Sequence, residues 1–217
     1  MMSNKQTSCI ICLDMKRTIN RICGDGMLLA MYIVLSVITV KITPNLQITF
    51  TGLAIIMAIV LYGWTDGILI ALLGSFVSQL RSAYGLTITT PIWMIPPILR
   101  AVVFGLFYHI YLKKGVLLQE KKILFFVYAT IAGLVTTLAN TGAIYLDAYI
   151  FQYPVALAVI ESIFRFVSSI ASSIAIAGMC LPIIYALKQA GLLHDRLSAK
   201  ENNESQQNGY NCSMLFI

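Results

Sequence analysis

Charged residues are so scarce in this chain that long segments contain none. Residues 26–40, 42–65, 123–146 and 166–187 lack Asp, Glu, Lys and Arg altogether. Only 11% of the 217 residues are charged and 59% are hydrophobic, whereas an average soluble domain is about 25% charged. A soluble fold could not cover so much apolar surface, but lipid can solvate it. The chain is therefore predicted to be an integral membrane protein.

Six apolar segments are predicted to be membrane-spanning helices, since each crossing takes about 20 residues. They cover roughly 26–40, 48–62, 65–80, 91–112, 123–146 and 155–187. The sequence thus predicts an all-α six-helix bundle in residues 26–190. A polar N-terminal tail, 1–25, precedes it. A polar and disordered C-terminal tail, 191–217, follows it.

Lys and Arg are divided unequally between the two sides of this predicted topology. With a cytoplasmic N-terminus, eleven of the 15 Lys and Arg lie inside, and only Lys41 and Arg81 lie outside. The remaining two are within spans. Because cytoplasmic loops carry an excess of Lys and Arg, both termini are predicted to be cytoplasmic. The net charge of +6 follows from this distribution and does not indicate nucleic-acid binding.

Three ionisable residues, Arg100, Glu161 and Arg165, lie well inside predicted spans. Charges at that depth are costly and mark functional sites by default. Glu161 and Arg165 are four residues apart, so they share one helix face. Asn140 lies at a similar depth on the fifth span. These groups predict a substrate pocket in the outer half of the membrane, with one net positive charge that suits a small anionic or zwitterionic solute.

A purely structural interpretation of the same residues stays open. Glu161 and Arg165 can form a pair along one helix, while Arg100 hydrogen-bonds to carbonyl groups. The substrate also stays open, because a neutral ring-containing ligand could use Asn140 and Trp93 instead of the arginines.

The motifs of several enzyme classes are absent from the sequence. It contains no G-x-x-x-x-G-K-[ST] phosphate loop and no H-E-x-x-H, nor a G-x-S-x-G. Cys9 and Cys12 form one C-x-x-C, but a zinc site usually needs four ligands. The sequence therefore predicts no enzyme activity, no metal site and no cofactor, and any ATP-driven transport must draw on partner ATPases.

Three segments resemble the S components of energy-coupling factor (ECF) transporters, and the resemblance covers about residues 26–190. The segment PNLQITFTGLAIIMAIVLYGWTDGILIALLGSFVSQL is similar to the family's second and third helices. TTPIWMIPPILRAVVFGL is similar to its fourth helix, and TTLANTGAIYL, with Asn140, to its fifth. Gly26 and Ala30 are the nearest match to the A-x-x-x-A pattern by which the family's first helix docks on a partner.

The resemblance implies a multi-pass protein of the bacterial cell membrane that captures a water-soluble vitamin from outside. It implies as partners a transmembrane T subunit and two cytoplasmic ATPases, together with membrane lipid. The net positive pocket favours an anionic vitamin such as pantothenate or folate, while a hydroxymethylpyrimidine- or pyridoxine-like ligand stays open.

Two other functions fit a small basic membrane protein. One is a scaffold that resembles bacterial cell-shape components, which would need no polar pocket. The other is a stand-alone proton-coupled carrier that uses Glu161, for which inverted repeats would be expected.

Overall fold

A computed structural model describes residues 3–41, 47–81, 89–115, 118, 121–151 and 155–189. Within these ranges, the side chains of 3–17, 20, 39–41, 47–48, 147–148, 151 and 155–161 lie outside the description, as does the predicted tail 191–217. The elements in chain order are α1 (Ser3–Val37), β1 (Thr39–Lys41), β2 (Gln47–Thr49), α2 (Thr51–Leu61), α3 (Trp64–Leu80), α4 (Thr90–Lys113), α5 (Lys122–Phe151) and α6 (Val155–Gln189).

The prediction of an all-α six-helix bundle is confirmed, with one small addition. β1 and β2 pair antiparallel as a hairpin between α1 and α2, with Val40 opposite Ile48. The residues 48–50 were expected to open the second helix, but strand pairing delays its start to Thr51. The first helix also continues backwards through the predicted polar tail to Ser3.

The hairpin marks one end of the bundle, called here the hairpin end. At that end, the Arg81 Nη2 donates a hydrogen bond of 3.1 Å to the Ser36 carbonyl at the end of α1. The other end, called here the turn end, carries the tight turn between α2 and α3. Gly63 occupies that turn with a φ of 125°, a conformation that side chains other than glycine rarely adopt.

α2 is the central helix of the bundle. Nine of its eleven residues are buried, and it lies against α1, α3, α4 and α6. At 1.5 Å per residue, α2 is about 16 Å long, whereas the neighbouring α3 is about 26 Å long. Both helices meet at the turn end, so α2 stops well short of the hairpin end. The bundle therefore has a central helix only in its turn-end half.

Small residues allow the central helices to approach closely, as is common in membrane bundles. A side chain at Gly67 would collide with Ile59 of α2, and one at Gly74 would collide with the Tyr32 ring of α1. A side chain at Gly133 of α5 would collide with the Ser173 hydroxyl of α6. Gly67, Gly74 and Gly133 thus serve contacts inside the bundle.

Three of the described helical segments are long and apolar enough to cross a membrane: Thr90–Lys113, Lys122–Leu146 and Ser162–Gln189. Thr51–Leu61 and Trp64–Leu80 are shorter apolar helices. The shortness of the second helix is consistent with its central position, where it packs against α1, α3, α4 and α6.

Candidate functional site

Arg100 lies at the level where the central helix begins. Its Nε donates a hydrogen bond of 3.2 Å to the Thr136 hydroxyl of α5. Its Nη1 occupies the space that a side chain at Gly52 would need, so the guanidinium contacts the first turn of α2. One arginine therefore bridges α4, α5 and α2 at the start of the central helix.

Thr136 is held in place to receive this arginine. Its hydroxyl donates to the Ala132 carbonyl at 2.7 Å and accepts from Arg100. Its neighbour Thr137 makes the same kind of back-bond, to the Gly133 carbonyl at 3.1 Å. Thr136 thus differs from Thr137 in bonding to Arg100 as well as to its own helix.

The first turn of α2 carries further polar groups near Arg100. The buried Tyr32 hydroxyl is hydrogen-bonded to the Thr51 side chain and interacts electrostatically with Arg100. Thr49 and Thr51 approach each other to 3.3 Å through their hydroxyls. Hydroxyl groups from α1, β2 and α2 therefore lie together at the start of α2.

Trp93 and Asn140 lie on the hairpin-end side of this cluster. Trp93 is seven residues before Arg100 on α4, so it shares the same helix face two turns away. Asn140 is four residues after Thr136 on α5, on the same face and one turn away. Both side chains are partly buried. The helix periodicity thus aligns Trp93 with Arg100 and Asn140 with the residue that Arg100 contacts.

Arg165 lies on the α6 face that meets α5. The Ser169 hydroxyl, one turn further along α6, donates a hydrogen bond of 3.1 Å to the Gly133 carbonyl of α5. Arg165 is therefore about one turn beyond Gly133 towards the hairpin end, as Thr136 is on α5. The two arginines flank the same stretch of α5 from different helices.

Glu161 belongs to α6, but its side chain lies outside the described residues. Its backbone lies 15 residues from Ile176, which is about 22 Å along the helix. Ile176 contacts the same point above Gly52 as Arg100 does. Arg165 is one turn from Glu161 on the same helix.

Sequence reasoning missed Thr136, Thr51 and Gly52. Thr136 could have been found from the sequence, because it is four residues from Asn140 and therefore lies on the same helix face. Thr51 and Gly52 had none, since the contact between Gly52 and Arg100 depends on how far strand pairing delays the start of α2.

A second charged cluster lies at the turn end. Arg21 of α1 binds Asp66 of α3 through two hydrogen bonds, of 2.8 Å from Nε and 2.6 Å from Nη2. The hydrogen bond to Asp66 raises the pKa of Arg21. Burial raises the pKa of Asp25, and the negative charge of Asp66 raises it further, partly offset by Arg21. This cluster ties α1 to α3 and lies far from Arg100.

Gly26 and Ala30 are both exposed on α1. A side chain at Gly26 would meet nothing within 4 Å. This pair of small residues therefore faces away from the rest of the bundle. Among the described residues, no group of three or more His, Cys, Asp or Glu could hold a metal ion, and Cys9 and Cys12 have side chains outside the description.

Similarity to known proteins is found both at the level of the family and at the level of the fold. The family model described as "ECF transporter, substrate-specific component" matches residues 20–191. A solved structure titled "Structure and mechanism of the S component of a bacterial ECF transporter" superposes with a TM-score of 0.56 at 19% sequence identity, covering 81% of this chain and 98% of that one. No curated protein sequence matches the chain.

Proposed function

This chain belongs to the family of ECF transporter substrate-specific components, and we propose that it captures a water-soluble vitamin in the hairpin-end half of its bundle. Family membership makes it an integral membrane transport subunit and not an enzyme. It also implies a small-molecule substrate and T and ATPase partners. The proposal adds the place of binding, the side chains that bind and the kind of vitamin.

One observation carries the placement of the site. The central helix α2 begins at the level of Arg100, whereas α4, α5 and α6 continue past that level towards the hairpin end, so the vitamin is proposed to bind between these three helices there. Ligand sites between helices of a bundle use such concave spaces with a few converging polar groups. Arg100 forms the inner limit of this space, and Trp93 and Asn140 lie closer to its mouth.

The substrate is proposed to be an anionic vitamin such as pantothenate or folate. Arg100 and Arg165 supply two guanidinium groups from different helices, and a guanidinium matches the geometry of a carboxylate. Glu161, one turn from Arg165, is proposed to orient that arginine. Trp93 supplies an aromatic face and Asn140 a donor and an acceptor. A hydroxymethylpyrimidine- or pyridoxine-like substrate would depend on those two residues and only weakly on the arginines.

The hairpin end is proposed to face outwards, as the distribution of Lys and Arg predicts. A cysteine introduced within residues 81–90 should then react with an impermeant thiol reagent added outside intact cells. One introduced within residues 113–122 should react only after permeabilisation. The opposite labelling pattern would place the pocket on the cytoplasmic side and contradict uptake from outside.

Energy is proposed to come from the partners, a T subunit that contacts the exposed Gly26–Ala30 face and two ATPases. In liposomes, the chain alone should bind the vitamin but should not accumulate it, and accumulation should require all partners and ATP. Gly26→Leu should reduce ATP-driven uptake without changing vitamin affinity. Accumulation driven by a proton gradient in the absence of partners would contradict this proposal.

A further inference from the structure

Four exposed lysines flank the connection between α4 and α5. They are the last residue of α4 and its C-cap, and the residue before α5 and its first residue: Lys113, Lys114, Lys121 and Lys122. A ring contact between Trp64, which opens α3, and His109, one turn before the end of α4, places this connection at the turn end. Segment 113–122 also contains Glu120, so its formal charge is +3, from four Lys and one Glu. Positive charge is therefore concentrated between these two helix ends.

The four lysines are not neutralised by the part of the protein that the structure describes. Among the described residues, no carboxylate pairs with any of them, whereas Arg21 at the same end is bound by Asp66. The helix dipole favours Lys113 in the last turn of α4, but it disfavours Lys122 in the first turn of α5. Helix electrostatics therefore do not explain why both sides of the connection are basic.

The backbone of the connection is attached to the core of the bundle. Leu118 is 1% exposed, and its carbonyl accepts a hydrogen bond of 3.2 Å from the Lys121 amide. Gly115 follows the end of α4 with a φ of 71°, and its amide donates to the Leu112 carbonyl at 3.1 Å. The two lysine pairs therefore lie on ordered backbone, on either side of the anchored Leu118.

Two tyrosines lie beside the lysines, where α4 and α5 pack together. The hydroxyls of Tyr111 and Tyr128 are 3.0 Å apart, and the Lys114 Nζ lies 5.9 Å from the centroid of the Tyr111 ring. The mutual hydrogen bond uses only one of the two O–H groups, so the second can donate to a ligand. Because tyrosine is enriched where a membrane meets water, the lysines are expected at the level of lipid headgroups.

Exposed apolar side chains continue from this level along both helices. Leu106 and Ile110 share one face of α4, and Ile123 and Val127 share one face of α5. In a membrane, such exposed apolar surface meets acyl chains. A lipid whose headgroup contacts the lysines would therefore also have its chains against these helices, a combination that a free phosphate ion does not offer.

We propose that the four lysines and the Tyr111–Tyr128 pair, together called here the lysine surface, bind the headgroup of an anionic phospholipid. Basic clusters at the ends of membrane helices attract such headgroups through their charge. The lipid phosphate supplies the negative partner that the lysines lack among the described residues, and it accepts a hydrogen bond from the remaining tyrosine O–H. This site lies at the end of the bundle opposite to the proposed vitamin pocket and does not depend on which vitamin is bound.

Titration of the full-length protein in detergent with lipid tests the proposal, with phosphatidylglycerol as the anionic probe and phosphatidylcholine as the zwitterionic reference. Native mass spectrometry counts the lipids bound per chain, and Tm shows that each variant is folded. The wild type should prefer phosphatidylglycerol. One lysine near an anionic surface is worth about fivefold in affinity, so Lys121→Gln combined with Lys122→Gln should weaken phosphatidylglycerol binding roughly twentyfold. Replacement of all four lysines by arginine should preserve it.

A matched control removes the same charge from another helix near the same end. Lys16→Gln combined with Arg17→Gln on α1 should leave phosphatidylglycerol binding unchanged. An equal loss in the two double variants would reveal only a general attraction to positive charge and overturn the site, as would equal binding of both lipids by the wild type.

Two further results would assign the lysine surface to something other than lipid. If the Lys121 and Lys122 double variant keeps the lipid but loses ATP-driven uptake with the partner subunits, the surface serves a protein and the proposal is wrong. An excess of inorganic phosphate, compared with chloride at equal ionic strength, should not displace the lipid. Displacement would indicate a site for free phosphate and would also refute the lipid site.

Discussion

Replacement of Arg100 by glutamine is the perturbation whose outcome depends most on the geometry of the site. The guanidinium donates to Thr136 through Nε at 3.2 Å, while its Nη1 lies against Gly52 and can serve a ligand. A hydrogen bond to a charged group contributes about 1.5–3 kcal/mol. Loss of one such bond should weaken vitamin binding roughly ten- to a hundredfold. Calorimetric titration of the purified protein, with Tm measured on the same samples, gives both affinity and folding.

Two threonines provide matched controls for this measurement. Thr136→Val removes the acceptor that positions Arg100 but keeps the guanidinium, so affinity should fall by about two- to tenfold. Thr137→Val removes a hydroxyl that bonds only to the neighbouring turn of its own helix, so affinity should not change. If Arg100→Gln lowers Tm but leaves the affinity of the folded protein unchanged, Arg100 is a structural residue and the site proposed here is wrong.

Three further predictions concern the turn-end charges and the packing of the helices. Arg21→Gln should lower Tm more than Asp66→Asn. The first variant leaves the Asp66 carboxylate unpaired with its side chain 12% exposed, whereas the second leaves the Arg21 guanidinium unpaired with its side chain 51% exposed. Equal losses of Tm in the two variants would contradict this reasoning. Asp25→Asn should raise Tm at pH 7, because the raised pKa of Asp25 means that folding disfavours its ionised carboxyl. The gain in Tm should vanish as the pH falls below the ordinary carboxyl pKa. A gain that does not depend on pH would contradict an origin in the titration of Asp25. Gly74→Ala should lower Tm by several degrees, because the methyl collides with an aromatic ring of α1, whereas Gly178→Ala, with nothing within 4 Å, should not lower it.

The sequence predicted best those helices whose ends are marked by local chemistry. The third and fourth spans were expected at 65–80 and 91–112, and the structure has them at Trp64–Leu80 and Thr90–Lys113. Gly63 marks the start of one and Pro91 the start of the other, since glycine adopts the turn conformation and proline suits a first helical turn. The length of an apolar segment and the Gly or Pro that marks its start are both local properties of the sequence, so these two helices could be predicted.

The start of the second helix depends on a partner and could not be read locally. Residues 47–49 carry no charge and contain neither Gly nor Pro, so they look like the start of the helix that follows, but they pair antiparallel with 39–41. That pairing shortens α2, and the proposed site lies beyond its start. The first helix was predicted too short for a different reason. A polar segment outside the membrane can still be helical, and here the helix begins at Ser3.

The candidate site was predictable in its charges but not in its contacts. Depth alone singled out Arg100, because an arginine in mid-span needs a polar environment. Its contacts with Thr136 and Gly52 depend on how α2, α4 and α5 pack, and no residue pattern encodes that packing. The grouping of Glu161 with Arg100 and Arg165 stays a prediction, because the Glu161 side chain lies outside the described residues.

The most direct test of the account is mass spectrometry of the solute that the full-length protein carries when it is purified from membranes. The account predicts one water-soluble vitamin per chain, bearing a carboxylate or a phosphate, and predicts that Arg100→Gln carries much less of it. A folded protein that carries no solute, and whose Tm is raised by none of the water-soluble vitamins, would contradict the claim that this chain is the vitamin-binding subunit of its transporter.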